Sequence, residues 1–133
     1  MPSPPHLTPR IAACLSALCL AVGCSSPENR AQDALTAYQV ASASNDLDGQ
    51  RKALLKLVQA KEEVPDYWIQ LGKLEASLAS YGDANYAFTR AHELDRSNPE
   101  VLQYLTESAV RTGDLDSAEN YAKELDVVSP GSV

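Results

Sequence analysis

Little in this sequence is equipped for covalent chemistry. Its 133 residues include three cysteines, two histidines, one tryptophan, one phenylalanine, one methionine and six glycines. The cysteines, Cys14, Cys19 and Cys24, follow at five-residue spacing. That spacing matches no metal-ligand pattern, and on a helix successive members point about 140° apart. His6 lies near the start and His92 stands alone on a predicted helix, where its solvent face is expected. Nucleophile–base pairs therefore have few candidates. The glycines never cluster into a loop that could cradle phosphate. Asp83, Glu93, Asp95, Asp114, Asp116 and Glu119 fall near predicted turns and helix starts, where capping and solvation account for them. No catalytic residue, metal or cofactor is expected.

Basic charge is also scarce. Eleven Lys and Arg stand against eighteen Asp and Glu, a net charge of −7, and they form no basic cluster. Phosphate contacts need clustered cations, so a nucleic-acid binder is excluded, as is electrostatic attachment to anionic lipid. Long apolar runs are absent too. The longest, Ile11–Val22, has twelve residues, against the roughly 20 that a membrane-spanning helix needs. It has no amphipathic face and is followed at once by Gly23-Cys24-Ser25-Ser26-Pro27. Its length suits the apolar core of an export signal.

Leu20-Ala21-Val22-Gly23-Cys24 resembles a bacterial lipobox, where the signal is cut before a cysteine that is then acylated. Ala21 stands where the family usually has leucine. The resemblance implies residues 1–23 as a lipoprotein signal peptide and Cys24 as the lipidation site. Cys14 and Cys19 then leave with the signal, and no disulfide can form. The net charge moves from −7 to −8 over 110 residues, because only Arg10 is lost. Attachment would come from acyl chains, each buried CH₂ contributing roughly 0.8 kcal/mol. Residues 24–30 read as a polar tether that reaches about 25 Å at most to Ala31. Serines after the cysteine resemble lipoproteins sorted to the outer membrane of a two-membrane bacterium.

From Ala31 the chain reads as six helices in three pairs, an all-α fold. An echo recurs at 34 residues: Pro65 and Pro99, Trp68 and Leu102, Leu71 and Leu105, Ala84 and Ala118. A fixed period of this size marks stacked helical hairpins. Asn98 is the expected N-cap before Pro99, and Gly113-Asp114 the expected turn of the last pair. In the middle pair Gly82 is expected in a left-handed C-terminal position, with Asp83 capping the next helix.

The pattern Trp68-x₂-Leu71-Gly72 … Ala84-x₃-Phe88-x₂-Ala91 resembles a tetratricopeptide repeat. Glu75 departs from it, standing where an aromatic is usual. The resemblance implies a short α-solenoid of about three hairpins. Residues 65–98 and 99–133 form repeats, the second with an uncapped end. Residues 31–64 form a degenerate hairpin, because Ala53-x₃-Leu57-x₂-Ala60 precedes its counterpart at Ala84 by 31 residues. Gly72, Ala84 and Ala91 are expected at close helix approaches, with Trp68, Leu71 and Phe88 as core.

The family's groove positions map to Asp66, Ile69, Lys73, Ala76 and Ser77, and to Glu100, Gln103, Glu107, Val110 and Arg111. Ile69, Lys73, Gln103, Glu107 and Arg111 form the candidate partner-binding set. They lack the Lys/Asn/Arg combination with which some repeats clamp a C-terminal carboxylate. The resemblances together imply a membrane-anchored, non-enzymatic adaptor for a protein partner in a bacterial envelope, facing the periplasm. The alternative is a binding or regulatory front end of a longer protein or enzyme complex. Self-association through the last hairpin, at Leu115, Tyr121 and Leu125, is a further expectation.

Overall fold

The computed structural model describes residues 26–131. The signal segment and Cys24 lie outside the described residues. Six helices follow in order: α1 (Pro27–Ala43), α2 (Leu47–Ala60), α3 (Pro65–Ser77), α4 (Tyr81–Leu94), α5 (Pro99–Thr112) and α6 (Leu115–Val128). They pair as the hairpins α1–α2, α3–α4 and α5–α6, and α2 packs on α3 as α4 packs on α5.

The period of 34 holds through all three hairpins. The second helix of each begins at Leu47, Tyr81 and Leu115 and ends at Ala60, Leu94 and Val128. The turns repeat in the same register. Asn45, Ala79 and Gly113 all have positive φ, at 54°, 60° and 78°. The next amide, of Asp46, Ser80 and Asp114, donates to the carbonyl of Ala41, Glu75 and Ala109 at 2.8–2.9 Å. This left-handed residue closes the first helix and turns the chain into the second. Asp46 and Asp114 cap the following helices, accepting from the amides of Gly49 and Ser117. Hydrogen bonds from Ser117, side chain first and backbone second, hold the Asp114 carboxyl below the usual carboxylate range.

Three expectations change here. In the middle turn the left-handed residue is Ala79; Gly82 and Asp83 lie in the first turn of α4, and Ser80 is its cap residue. The first hairpin has the full 34-residue register. Ala53 corresponds to Ala87 and Leu54 to Phe88, so matching Ala53 to Ala84 sets the helix one turn out of phase. The polar segment is also shorter than expected. Ser26 accepts from the Asn29 amide and Pro27 sits at the first helical position, so Pro27, Glu28, Asn29 and Arg30 belong to α1.

The core follows from the small residues. A Cβ on Gly72 would lie 2.8 Å from Phe88 Cε1, so α3 and α4 approach closely only because glycine is there. Ala84, Ala87 and Ala91 are buried beside it, and Trp68, Leu71, Leu74 and Phe88 fill the remaining space. Trp68 is core as expected, and its Nε1 donates to the Glu62 carbonyl at 2.8 Å, which satisfies the indole's polar edge. His92 is not on a solvent face. It stands edge-on to Tyr121 of α6 with its Nε2 3.1 Å from Glu124 Oε2, and its Nδ1 is buried without a partner. In the last hairpin Leu125 is buried, Tyr121 is half-buried and Leu115 is exposed.

Candidate interaction surface

The groove residues lie along α3 and α5. Lys73 Nζ is 2.6 Å from Glu100 Oε1, an ion pair that ties the two helices together. Arg111 donates to Glu107 Oε1 at 2.7 Å across one helical turn, and its guanidinium also lies over the Tyr81 ring, 5.6 Å from the centroid. Gln103 and Asp66 are exposed. Ile69 is only 6% exposed and belongs to the core cluster, so it offers a partner no surface. Of the candidate set, Lys73, Gln103, Glu107 and Arg111 remain accessible, and the structure gathers three of them into ion pairs.

Two pockets open along this row, one at each seam between hairpins. Leu47, Gln50, Gln70, Lys73, Leu74 and Ser77 line the first, of about 510 Å³. The residues 34 further on, Tyr81, Ala84, Tyr104, Glu107, Ser108 and Arg111, line the second, of about 250 Å³. Phe88 and Tyr104 stack in its floor, with centroids 4.4 Å apart and planes within 7°. Each pocket has an apolar wall from the first residue of α2 or α4, and polar groups from the facing helix. Sequence reasoning misses Leu47 and Tyr81. The available signal is an apolar residue recurring at 47, 81 and 115.

A polar bolt crosses the first seam. Glu75, 2% exposed, accepts from Arg51 Nε at 2.6 Å, and Arg51 also donates to Asp83 of α4 at 3.2 Å. The carboxylate, as hydrogen-bond acceptor and as charge, raises the Arg51 pKa above its ordinary value. The second Glu75 oxygen is buried without a protein partner. At the second seam the same position is Asn85, whose Oδ1 accepts from Ser108 at 3.2 Å. The other repeats have Ala41 and Ala109 in place of Glu75.

Among the described residues no group of three or more His, Cys, Asp or Glu could hold a metal ion. No described helix is long and apolar enough to cross a membrane. What the seams present is apolar recesses bordered by paired charges, which suits contact with another polypeptide.

The architecture is that of a short tetratricopeptide-like α-solenoid. No protein-family model and no curated protein matches the sequence. Solved structures do. The crystal structure of MamA protein superposes with a TM-score of 0.68 at 16% identity, over 77% of this chain and 56% of that one. A MamA mutant gives 0.64 at 18% identity, over 76% and 74%. A chain of a CopN-Scc3 complex gives 0.63 at 17% identity, over 84% and 63%. These are tetratricopeptide-like helical repeat proteins, and at such identities the likeness establishes the fold. The chain spans little more than half of the first MamA chain.

Proposed function

We propose that this chain is a protein–protein interaction scaffold, held at a bacterial membrane by acyl chains on Cys24, that acts as an adaptor in an envelope assembly of the outer-membrane, pilus or export kind. The observation that carries the scaffold reading is the pair of equivalent pockets, one per seam, along α3 and α5. A stacked repeat that opens equivalent pockets at successive seams presents one continuous surface. The CopN-Scc3 structure, a complex built on a chain of similar fold, supports a protein partner. The anchor and the envelope location rest on the motif Leu20–Cys24 and the short segment between it and α1.

Cys24→Ser tests the anchor. The variant is expected in the soluble fraction without an acyl mass, and membrane retention equal to the parent would refute lipidation. The scaffold reading is tested by crosslinking the membrane-bound protein in cells and identifying partners by mass spectrometry. Charge reversal at Lys73, Glu107 and Arg111 is expected to reduce their yield; the same partners at the same yield would exclude this surface. A second reading, a binding front end of a longer protein or enzyme complex, is favoured by the 56% coverage of MamA. The coding sequence beyond Val133 tests it.

A further inference from the structure

The repeat register shows how each hairpin fills the cleft between its own two helices. In the second hairpin Trp68 of α3 fills it. Its ring stands edge-on to Tyr86 of α4 and lies under the Arg90 guanidinium, 5.7 Å from the centroid. Glu93 holds Arg90 in an ion pair from one turn further along α4. In the third hairpin Leu102, fully buried, takes the place of Trp68. In the first hairpin the residue 34 positions before Trp68 is Ala34, and Ala37 stands for Leu71. A pocket of about 360 Å³ opens there, walled by Ala34, Ala37 and Ala60. Arg30, Asp33, Lys56 and Gln59, all exposed, form its rim.

This opening does not depend on an end of the stack. The middle hairpin has a neighbour on each side, and its cleft still faces solvent along Glu93 and Leu94, both exposed. Side-chain size is what empties the first cleft: two alanines stand where a tryptophan and a leucine fill the second. Charge sets it apart as well. Lys56 takes the place of Arg90, but Gln59 takes the place of Glu93, so the cation has lost its acid. Residues 26–131 hold ten lysines and arginines, and seven of them lie in ion pairs. Arg30 and Lys56 are two of the other three, and both border this pocket. Against them stands one acid, Asp33.

We infer that the α1–α2 cleft receives a tryptophan side chain of a partner protein, presented on an acidic segment. The indole lies against the alanines as Trp68 lies in the second hairpin, with the Lys56 ammonium where Arg90 has its guanidinium. A cation over the face of an indole is attracted by the ring. The indole N–H needs an acceptor, which the Glu62 carbonyl supplies to Trp68 and which Gln59 or Asp33 supplies here. Arg30 and Lys56 pair with acids flanking the tryptophan and set the preference for an acidic segment. The inference rests on the scaffold reading but concerns a different place from the seam pockets.

Three tripeptides, blocked at both ends, are titrated into the ¹⁵N-labelled full chain carrying Cys24→Ser, and amide cross-peaks are followed. The first is glutamyl-tryptophyl-glutamate, the second has alanine at its centre, and the third has lysine on both sides of the tryptophan. The first is expected to bind about tenfold more tightly than the second and about threefold more tightly than the third, with shifts centred on residues 30–37 and 56–60. Arg30→Glu with Lys56→Glu, at exposed positions, is expected to make the lysine-flanked peptide the tighter one. Ala34→Trp fills the cleft from within and is expected to abolish binding. Ala37→Leu, at an exposed position, is expected to weaken it while the rest of the spectrum stays unchanged. No saturable shift, equal binding of the alanine peptide, or a charge preference that survives the reversal would overturn the inference. Shifts at Tyr81, Tyr104 and Arg111 instead would seat the tryptophan at the second seam: the cleft fails and the scaffold reading stands. Binding in the cleft, with crosslinked partners unchanged by reversal of Lys73, Glu107 and Arg111, would support the cleft and exclude the seam pockets. Cleft cross-peaks that move without peptide on Leu15→Glu with Leu18→Glu would make the chain's own segment 11–22 the occupant. Concentration-dependent shifts removed by Ala34→Trp would make it a second copy. Either result refutes a foreign side chain.

Discussion

Ala79 carries a conformation that its side chain disfavours. Its φ of 60° matches those of Asn45 and Gly113, the residues one repeat away on either side. Asparagine tolerates this region and glycine adopts it freely, whereas an alanine Cβ crowds the backbone at a penalty of about 1–2 kcal/mol. Glycine gives back part of this gain as entropy in the unfolded chain. Ala79→Gly is therefore expected to stabilise the fold by about 0.5–1 kcal/mol in urea unfolding, and Gly113→Ala to lose about 1 kcal/mol. Opposite signs would show that the turn relaxes around either residue. At this scale the sequence is legible where the signal is local. Asn98 before Pro99 and Gly113 before Asp114 can be read because capping needs only near neighbours. Ala79 cannot, because hairpin closure imposes the left-handed position on whatever residue occupies it, and a glycine three residues later draws the assignment away.

Between elements, the Arg51–Glu75 pair decides how the first hairpin meets the second. A buried carboxylate is tolerated when it is paired, and removing the partner strands it. Arg51→Met is expected to lower the unfolding midpoint by on the order of 10 °C. Adding Glu75→Leu should restore most of that loss, because an apolar pair of similar volume needs no compensation. A double variant as unstable as Arg51→Met would mean that packing of the Arg51 stem, and not charge, holds the seam. Glu75 is visible in the sequence as a departure from the aromatic usual there, but its partner is not. Arg51 lies 24 residues away in another hairpin. The match of Ala53 to Ala84 fails for a related reason: small residues recur on several faces of an alanine-rich helix. Only packing distinguishes the phase that puts Leu54 in register with Phe88.

At the scale of the whole fold, burial among the described residues is concentrated in the middle. The central helices α3 and α4 bury Trp68, Ile69, Leu71, Leu74 and Phe88. At the ends, α1 buries only alanines, and α6 buries only Ala118 and Leu125. Stability in stacked repeats is a sum of hairpin and seam contributions, so the ends should open first. Amide hydrogen exchange is expected to be faster in α1 and α6 than in α3 and α4, and uniform protection across the six helices would refute this gradient.

The helices, the caps at Asn98 and Gly113-Asp114, the 34-residue period of the second and third hairpins and the acidic balance were determined by sequence alone, since they depend on composition or on residues within a turn or two of one another. The tertiary structure decided which positions on those helices are available. Ile69 is expected in a groove and lies in the core, and His92 is expected in solvent and lies against Tyr121. Exposure at any point of a stacked repeat is set by the neighbouring hairpin, and no local pattern of residues carries that information.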